Sequence, residues 1–102
     1  MSVIALLSVS PVREGSMAPD VARAVDALDS YDVTYETTAM GTIIEGSDVE
    51  EVFAASAAAH QAVDADRVST LLKIDHKRGD GTADEKVQSV EAELGRPAHN
   101  RD

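Results

Sequence analysis

The chain has 102 residues, with 19 acidic and 9 basic side chains and a formal net charge of −10. That length suits one domain, and so acidic a balance excludes a nucleic-acid binder and a dock on anionic lipid, both of which need clustered Lys and Arg. The chain has no cysteine, which excludes a disulfide framework, a thiolate nucleophile and a zinc-thiolate site.

The opening MSVIALLSV is too short to span a bilayer and has no basic residue before its apolar run. A cytoplasmic protein is expected. Residues 3–10 read as a strand that Pro11 stops. Alternation places Ile4, Leu6, Ser8 and Ser10 on one face and Val3, Ala5, Leu7 and Val9 on the other. Both faces carry large apolar groups, as in a strand covered on both sides. Ser16 is a candidate N-cap, Pro19 and Asp20 suit a first helical turn, and Val21, Val25 and Leu28 recur at helical spacing. The spacing predicts a helix over 17–30.

Residues 33–38, VTYETT, have the β-branched and aromatic content of a strand. Met40-Gly41 breaks it, and residues 42–45 form a second short strand closed by Gly46. Ser47-Asp48-Val49-Glu50 fits a capping box. Val49, Val52, Phe53, Ser56, His60 and Val63 follow as a helical stripe over about 48–64. Residues 67–75 read as a fourth strand, with Val68, Thr70, Leu72 and Ile74 on one face and Ser69, Leu71, Lys73 and Asp75 on the other. Residues 76–81 read as a polar loop. Thr82-Ala83-Asp84-Glu85 is a second capping box, opening a helix over 83–94 that Gly95 and Pro97 stop. The single domain spans 1–95, and residues 96–102 are expected to fray.

The order β-α-β-β-α-β-α contains the split pattern of ferredoxin-like α+β folds, βαββαβ with an additional C-terminal helix. Right-handed crossovers place the first two helices on one face of a four-stranded antiparallel sheet. The other face then presents Ile4, Leu6 and Leu71. An apolar patch of that kind marks an interface, so two-fold self-association through the sheet face is expected. Ser8, Ser10, Thr38, Lys73 and Asp75 share that face, where a small ligand can be held at a subunit junction.

The charge itself is unevenly chosen. Asp outnumbers Glu by 11 to 8, Lys falls to 3 and Ala rises to 16. Regular apolar patterning argues against disorder. Low Lys and high Asp on a folded domain suit a halophilic cytoplasm, where salt screens self-repulsion.

Catalytic signals are weak. No nucleophile elbow, phosphate loop, dinucleotide fingerprint or zinc-protease motif occurs. His60 lies on a helix stripe, where a half-buried structural histidine is the commoner reading. Asp75-His76 lacks a third metal ligand. Glu36 and Glu45 read first as surface charge. Lys73, inside a strand, suits either an ion pair with Asp75 or a ligand contact. No catalytic residue, metal site or required cofactor is expected.

YETTAMGTIIEG over 35–46 and RVSTLLKIDHKR over 67–78 resemble the thiamine-binding protein family. VIALLSVSPV, the stretch GSDVEEVFAASAAAHQAV and EKVQSV extend the resemblance over residues 3–91. It implies a ferredoxin-like fold, dimers commonly paired into tetramers through the sheet faces, and non-catalytic binding of thiamine or its hydroxymethylpyrimidine moiety. On that basis Met40 offers sulfur contact to a pyrimidine. Ser8, Ser10, Thr37, Thr38 and Thr42 offer donors and acceptors, and Glu36, Glu45 or Asp75 offer charge to a thiazolium. The Thr38–Thr42 segment, with Gly41, carries the family motif best. Ala39 stands where relatives often have Pro, and Leu6 where they are often polar. The competing readings are a small-metabolite enzyme on a dimeric ferredoxin-like scaffold and a regulatory protein-interaction module.

Overall fold

A computed structural model describes residues 2–78 and 82–100. The elements are β1 (Ser2–Pro11), α1 (Ala18–Ala27) with a 3-10 turn at Leu28–Ser30, β2 (Thr34–Thr38), β3 (Gly41–Gly46), α2 (Val49–Gln61), β4 (Val68–Lys77) and α3 (Ala83–Leu94). The strands form one antiparallel sheet in the order β2-β3-β1-β4, the ferredoxin-like α+β arrangement. The end of the expected 76–81 loop and the last two residues of the expected 96–102 tail lie outside the described residues.

Alternation along β1 decides which face becomes core. Val3, Ala5, Leu7 and Val9 are buried, with Ile44 of β3, beneath α1 and α2. α2 reaches the sheet through Val52, Ala55, Ser56 and Ala59. The small residues among these bring its backbone close to the strands. Phe53 and His60, expected on the buried stripe, instead face outward, and Phe53 is 54% exposed. The buried stripe runs one position beside them. His60 Nδ1 lies 2.5 Å from Thr70 Oγ1.

Several boundaries differ from expectation for local reasons. β1 runs through Pro11, which is buried and pairs with Val68. A proline fits a strand where one neighbour is missing, and β1 pairs with β3 only as far as Leu7. Ser16 Oγ does accept from the Ala18 N–H at 3.3 Å, but Met17 holds the N-cap position of α1. Asp48, not Ser47, caps α2, accepting from the Glu50 N–H at 2.9 Å. Asp is itself a strong cap one residue nearer the helix. β4 continues to Lys77, so His76 and Lys77 belong to the strand. At α3 the expected Thr82 cap forms, with its hydroxyl accepting from Glu85 N–H at 3.1 Å, and Gly95 closes the helix at φ +70°. The Ala98 N–H donates to Glu91 Oε2 at 2.8 Å, which ties the start of the tail to α3. Among the described residues one charged side chain is buried, that of Asp20. It is paired with Arg13 and, at 3.5 Å, with Arg23, as a buried carboxylate requires.

Candidate functional site

The unequal pairing of β1 builds a cavity. β1 pairs with β4 from Ser2 to Pro11 but with β3 only from Val3 to Leu7. Residues 8–11 therefore have a ladder partner on one side only. At this point the β2–β3 hairpin turns back, α1 crosses above, and a cavity of about 160 Å³ opens between them. Leu7 and Val9 form its apolar wall with Val21, Ala24, Val25 and Leu28 from the α1 segment. Thr37 and Thr42 bring hydroxyls, Ser8 and Ser10 line it from the one-sided edge of β1, and Thr38, Ala39, Met40 and Gly41 form the hairpin end. No side chain in this lining carries a charge.

The hairpin end is held by its own hydrogen bonds. Thr38 Oγ1 donates to the Gly41 carbonyl at 2.7 Å and accepts from the Met40 N–H at 3.2 Å. Its hydroxyl is thus occupied in shaping the turn. Gly41 sits at φ +152°, and a Cβ there would lie 3.0 Å from Leu6 Cδ1 and from the Leu7 carbonyl oxygen. Only glycine lets the hairpin approach β1 this closely. Met40, at the tip, is 82% exposed. Thr37 and Thr42 face each other across the hairpin with their hydroxyl oxygens 3.1 Å apart. Thr42 is buried. That bond uses one of their two hydroxyl protons, so the pair can still donate one hydrogen bond and accept others.

A shallow groove continues outward from the shared walls Val21, Val25 and Thr37 to Asp26, Asp29 and Tyr35. The Tyr35 hydroxyl donates to Asp29 Oδ1 at 2.7 Å. This hydrogen bond pushes the Tyr35 phenol above its ordinary pKa, with burial and the Asp29 and Asp26 charges adding to it.

The open side of the sheet is a separate region. The register aligns Glu36, Ile43, Leu6 and Lys73 in one row across the four strands, and Glu45, Ile4 and Asp75 in the next. Residues paired across antiparallel strands share a face. Asp75 is bonded to Lys86 of α3, and this bond holds its carboxyl below the usual aspartate range, helped by the Lys86, Lys73 and Lys77 charges. Of the two alternatives for Lys73, the ion pair with Asp75 does not form, because Asp75 is paired instead with Lys86 reaching across from α3.

Comparison with known proteins decides what this frame belongs to. The profile of the thiamine-binding protein family matches residues 5–91. The chain belongs to that family. A UPF0045 protein of Methanothermobacter thermautotrophicus is 43% identical over 83 residues, covering 78% of this chain and 84% of the relative. The crystal structure of a protein from Methanocaldococcus jannaschii superposes with a TM-score of 0.80 at 36% identity, over 87% of this chain and 95% of that one. A Thermotoga maritima structure, named as a candidate thiamine biosynthesis/salvage protein, gives a TM-score of 0.76 at 28% identity, over 88% and 99% of the two chains.

The structure gathers Ser8, Ser10, Thr37, Thr38, Met40, Gly41 and Thr42 around one cavity. It places Glu36, Lys73 and Asp75 outside that lining, on the open face. Sequence reasoning missed Val21, Ala24, Val25 and Leu28 as cavity walls because their helical spacing marks them only as core. Among the described residues no group of three His, Cys, Asp or Glu side chains is placed to hold a metal, and no helix is long and apolar enough to cross a membrane.

Proposed function

We propose that the chain binds thiamine or its hydroxymethylpyrimidine moiety in the cavity at the β2–β3 hairpin end, without chemical change. The observation that carries this reading is the lining itself: apolar walls and hydroxyls with no titratable side chain, in a member of a thiamine-binding family. A flat pyrimidine suits apolar walls with sulfur contact from Met40. Its ring nitrogens and amino group suit Ser8, Ser10 and the Thr37–Thr42 pair, together with the one-sided backbone edge of residues 8–11. The cationic ring then lies along the outer groove toward Asp26 and Asp29. The lining offers no general acid or base to a reaction. Copies of the chain associate through the open face of the sheet.

Calorimetric titration with thiamine and with hydroxymethylpyrimidine tests the binding. Saturable heat and a rise in melting temperature are expected, because a ligand specific for the folded state stabilises it. Silence of both ligands at millimolar concentration would refute the assignment. Ser10→Ala with Met40→Ala should weaken thiamine about tenfold, roughly 1.4 kcal/mol, while the melting temperature without ligand stays put. Mass spectrometry of recovered thiamine tests the absence of chemistry, and a cleaved or modified product would overturn that part.

A further inference from the structure

The outer groove, of about 460 Å³, shares Val21, Val25 and Thr37 with the cavity and ends on Asp26, Asp29 and Tyr35. The segments that wall cavity and groove, residues 2–11 and 18–46, hold a single basic side chain, Arg23. Arg23 is engaged with Asp20 at 3.5 Å, and Arg13 of the neighbouring loop is paired with the same carboxylate. Among the described residues no cation lines either space. The Tyr35 hydroxyl proton is engaged by Asp29 Oδ1, 2.7 Å away. A phenol has one proton, so Tyr35 has only its oxygen lone pairs left to offer. Asp26 lies close enough for its charge to act on the same phenol. The groove end around Tyr35 is therefore a place of acceptors and negative charge.

We propose that this groove selects the free alcohol form of the ligand and rejects its phosphate esters, with Asp26, Asp29 and the acceptor side of Tyr35 as the specificity-determining groups. The inference rests on the reading that thiamine lies with its pyrimidine in the cavity, and adds which chemical form is held. In that pose the hydroxyethyl arm of the cationic ring reaches the groove end. Its hydroxyl donates to the Tyr35 oxygen, and the positive ring lies beside the two carboxylates. A phosphate ester on the same arm carries a charge of about −1.5 to −2 at neutral pH and brings acceptor oxygens. It then faces two carboxylates and an engaged phenol, with no cation to offset them. Like charges brought together oppose binding, and repulsion of the wrong ligand is an effective source of specificity.

The other end of the groove gives a phosphate no refuge. It passes Ala18, the first residue of α1, and helix N-termini elsewhere hold anions. Here the Ala18 N–H donates to Ser16 Oγ at 3.3 Å, Pro19 has no N–H, and Asp20 puts a carboxylate in the first turn. Phosphate sites use the opposite equipment, Arg or Lys with free backbone donors.

Calorimetric titration of the full chain with thiamine, thiamine monophosphate and thiamine diphosphate tests the selection. The pH is held at about 8, above the second phosphate pKa of about 6. The wild type is compared with D26N/D29N, a change that keeps side-chain size and leaves an acceptor for the Tyr35 hydroxyl. Circular dichroism and melting curves show that the variant is folded. At about 0.1 M salt each ester is expected to bind the wild type at least about tenfold more weakly than thiamine. That ratio is expected to narrow at least about threefold in D26N/D29N, and likewise for the wild type in about 1 M salt, where the screening length falls to about 3 Å. Esters that bind the wild type as tightly as thiamine would overturn the selection and leave thiamine binding standing. A preference for thiamine that neither salt nor the Asn pair changes would overturn the assignment to Asp26 and Asp29. Silence of thiamine and both esters would overturn the binding reading and the inference with it.

Discussion

Along β1, neighbouring residues enter two different environments. Val3, Ala5, Leu7 and Val9 are at most 6% exposed beneath α1 and α2. Ile4 and Leu6, of equal or greater size, remain half-buried on the other side. The helix-covered face is complete within one chain, and its burial stabilises the fold. Among the described residues the open face is met by α3, which bonds to Asp75 and reaches the strand near Ser2 and Ile4. α3 itself has no buried residue and leaves Val87, Val90 and Leu94 about half exposed. Similar apolar content thus has two different consequences. On one face it supports folding, and on the other it is available for association.

Substitution on each face tests this contrast. Leu28→Ala, at a fully buried position under α1, should lower unfolding free energy by about 2–5 kcal/mol in a denaturant titration. A loss under about 1 kcal/mol would show that the helix face is not the dominant core. Next in size, Gly41→Ala should cost about 1–3 kcal/mol through the positive φ and the close Leu7 carbonyl, and should abolish thiamine binding by moving the hairpin off β1. Retained affinity in calorimetry would separate the site from this turn. Leu71→Ala, on the open face, should change unfolding of the dilute monomer by no more than about 0.5 kcal/mol. It should nevertheless weaken self-association measured by light scattering, and an unchanged oligomer would place the contact elsewhere.

The finest test is electrostatic. The Lys86 bond lowers the folded-state pKa of Asp75. A depressed carboxylate contributes stability that is present above its unfolded pKa and is lost as pH falls through the folded value. The Asp75 carboxyl resonance should therefore titrate below that of an ordinary aspartate, and Lys86→Ala should move it back up. Coincident titration curves in the two proteins would show that the bond does not persist in solution.

Much of this fold was legible from residue pattern. The alternation in β1, the Met40-Gly41 break, the Thr82 cap and the Gly95 stop are local signals, and each acts over a few residues. Seven residues of the candidate cavity were also legible, because the hairpin and β1 carry hydroxyls where the family resemblance drew attention. Other features lay beyond reach because they depend on partners far along the chain. The occupied Thr38 hydroxyl, the exposure of Phe53 and the Lys86 bond of Asp75 are of this kind.

The sequence by itself determined the element order, the identity of the buried face and the absence of a basic footprint, since periodicity, capping and charge belong to short windows of the chain. The tertiary structure alone decided where β3 stops pairing with β1, that α1 walls the resulting cavity, and that Glu36 and Lys73 end one row across four strands. Those outcomes depend on register, and register is settled only when strands separated by tens of residues dock against the same core.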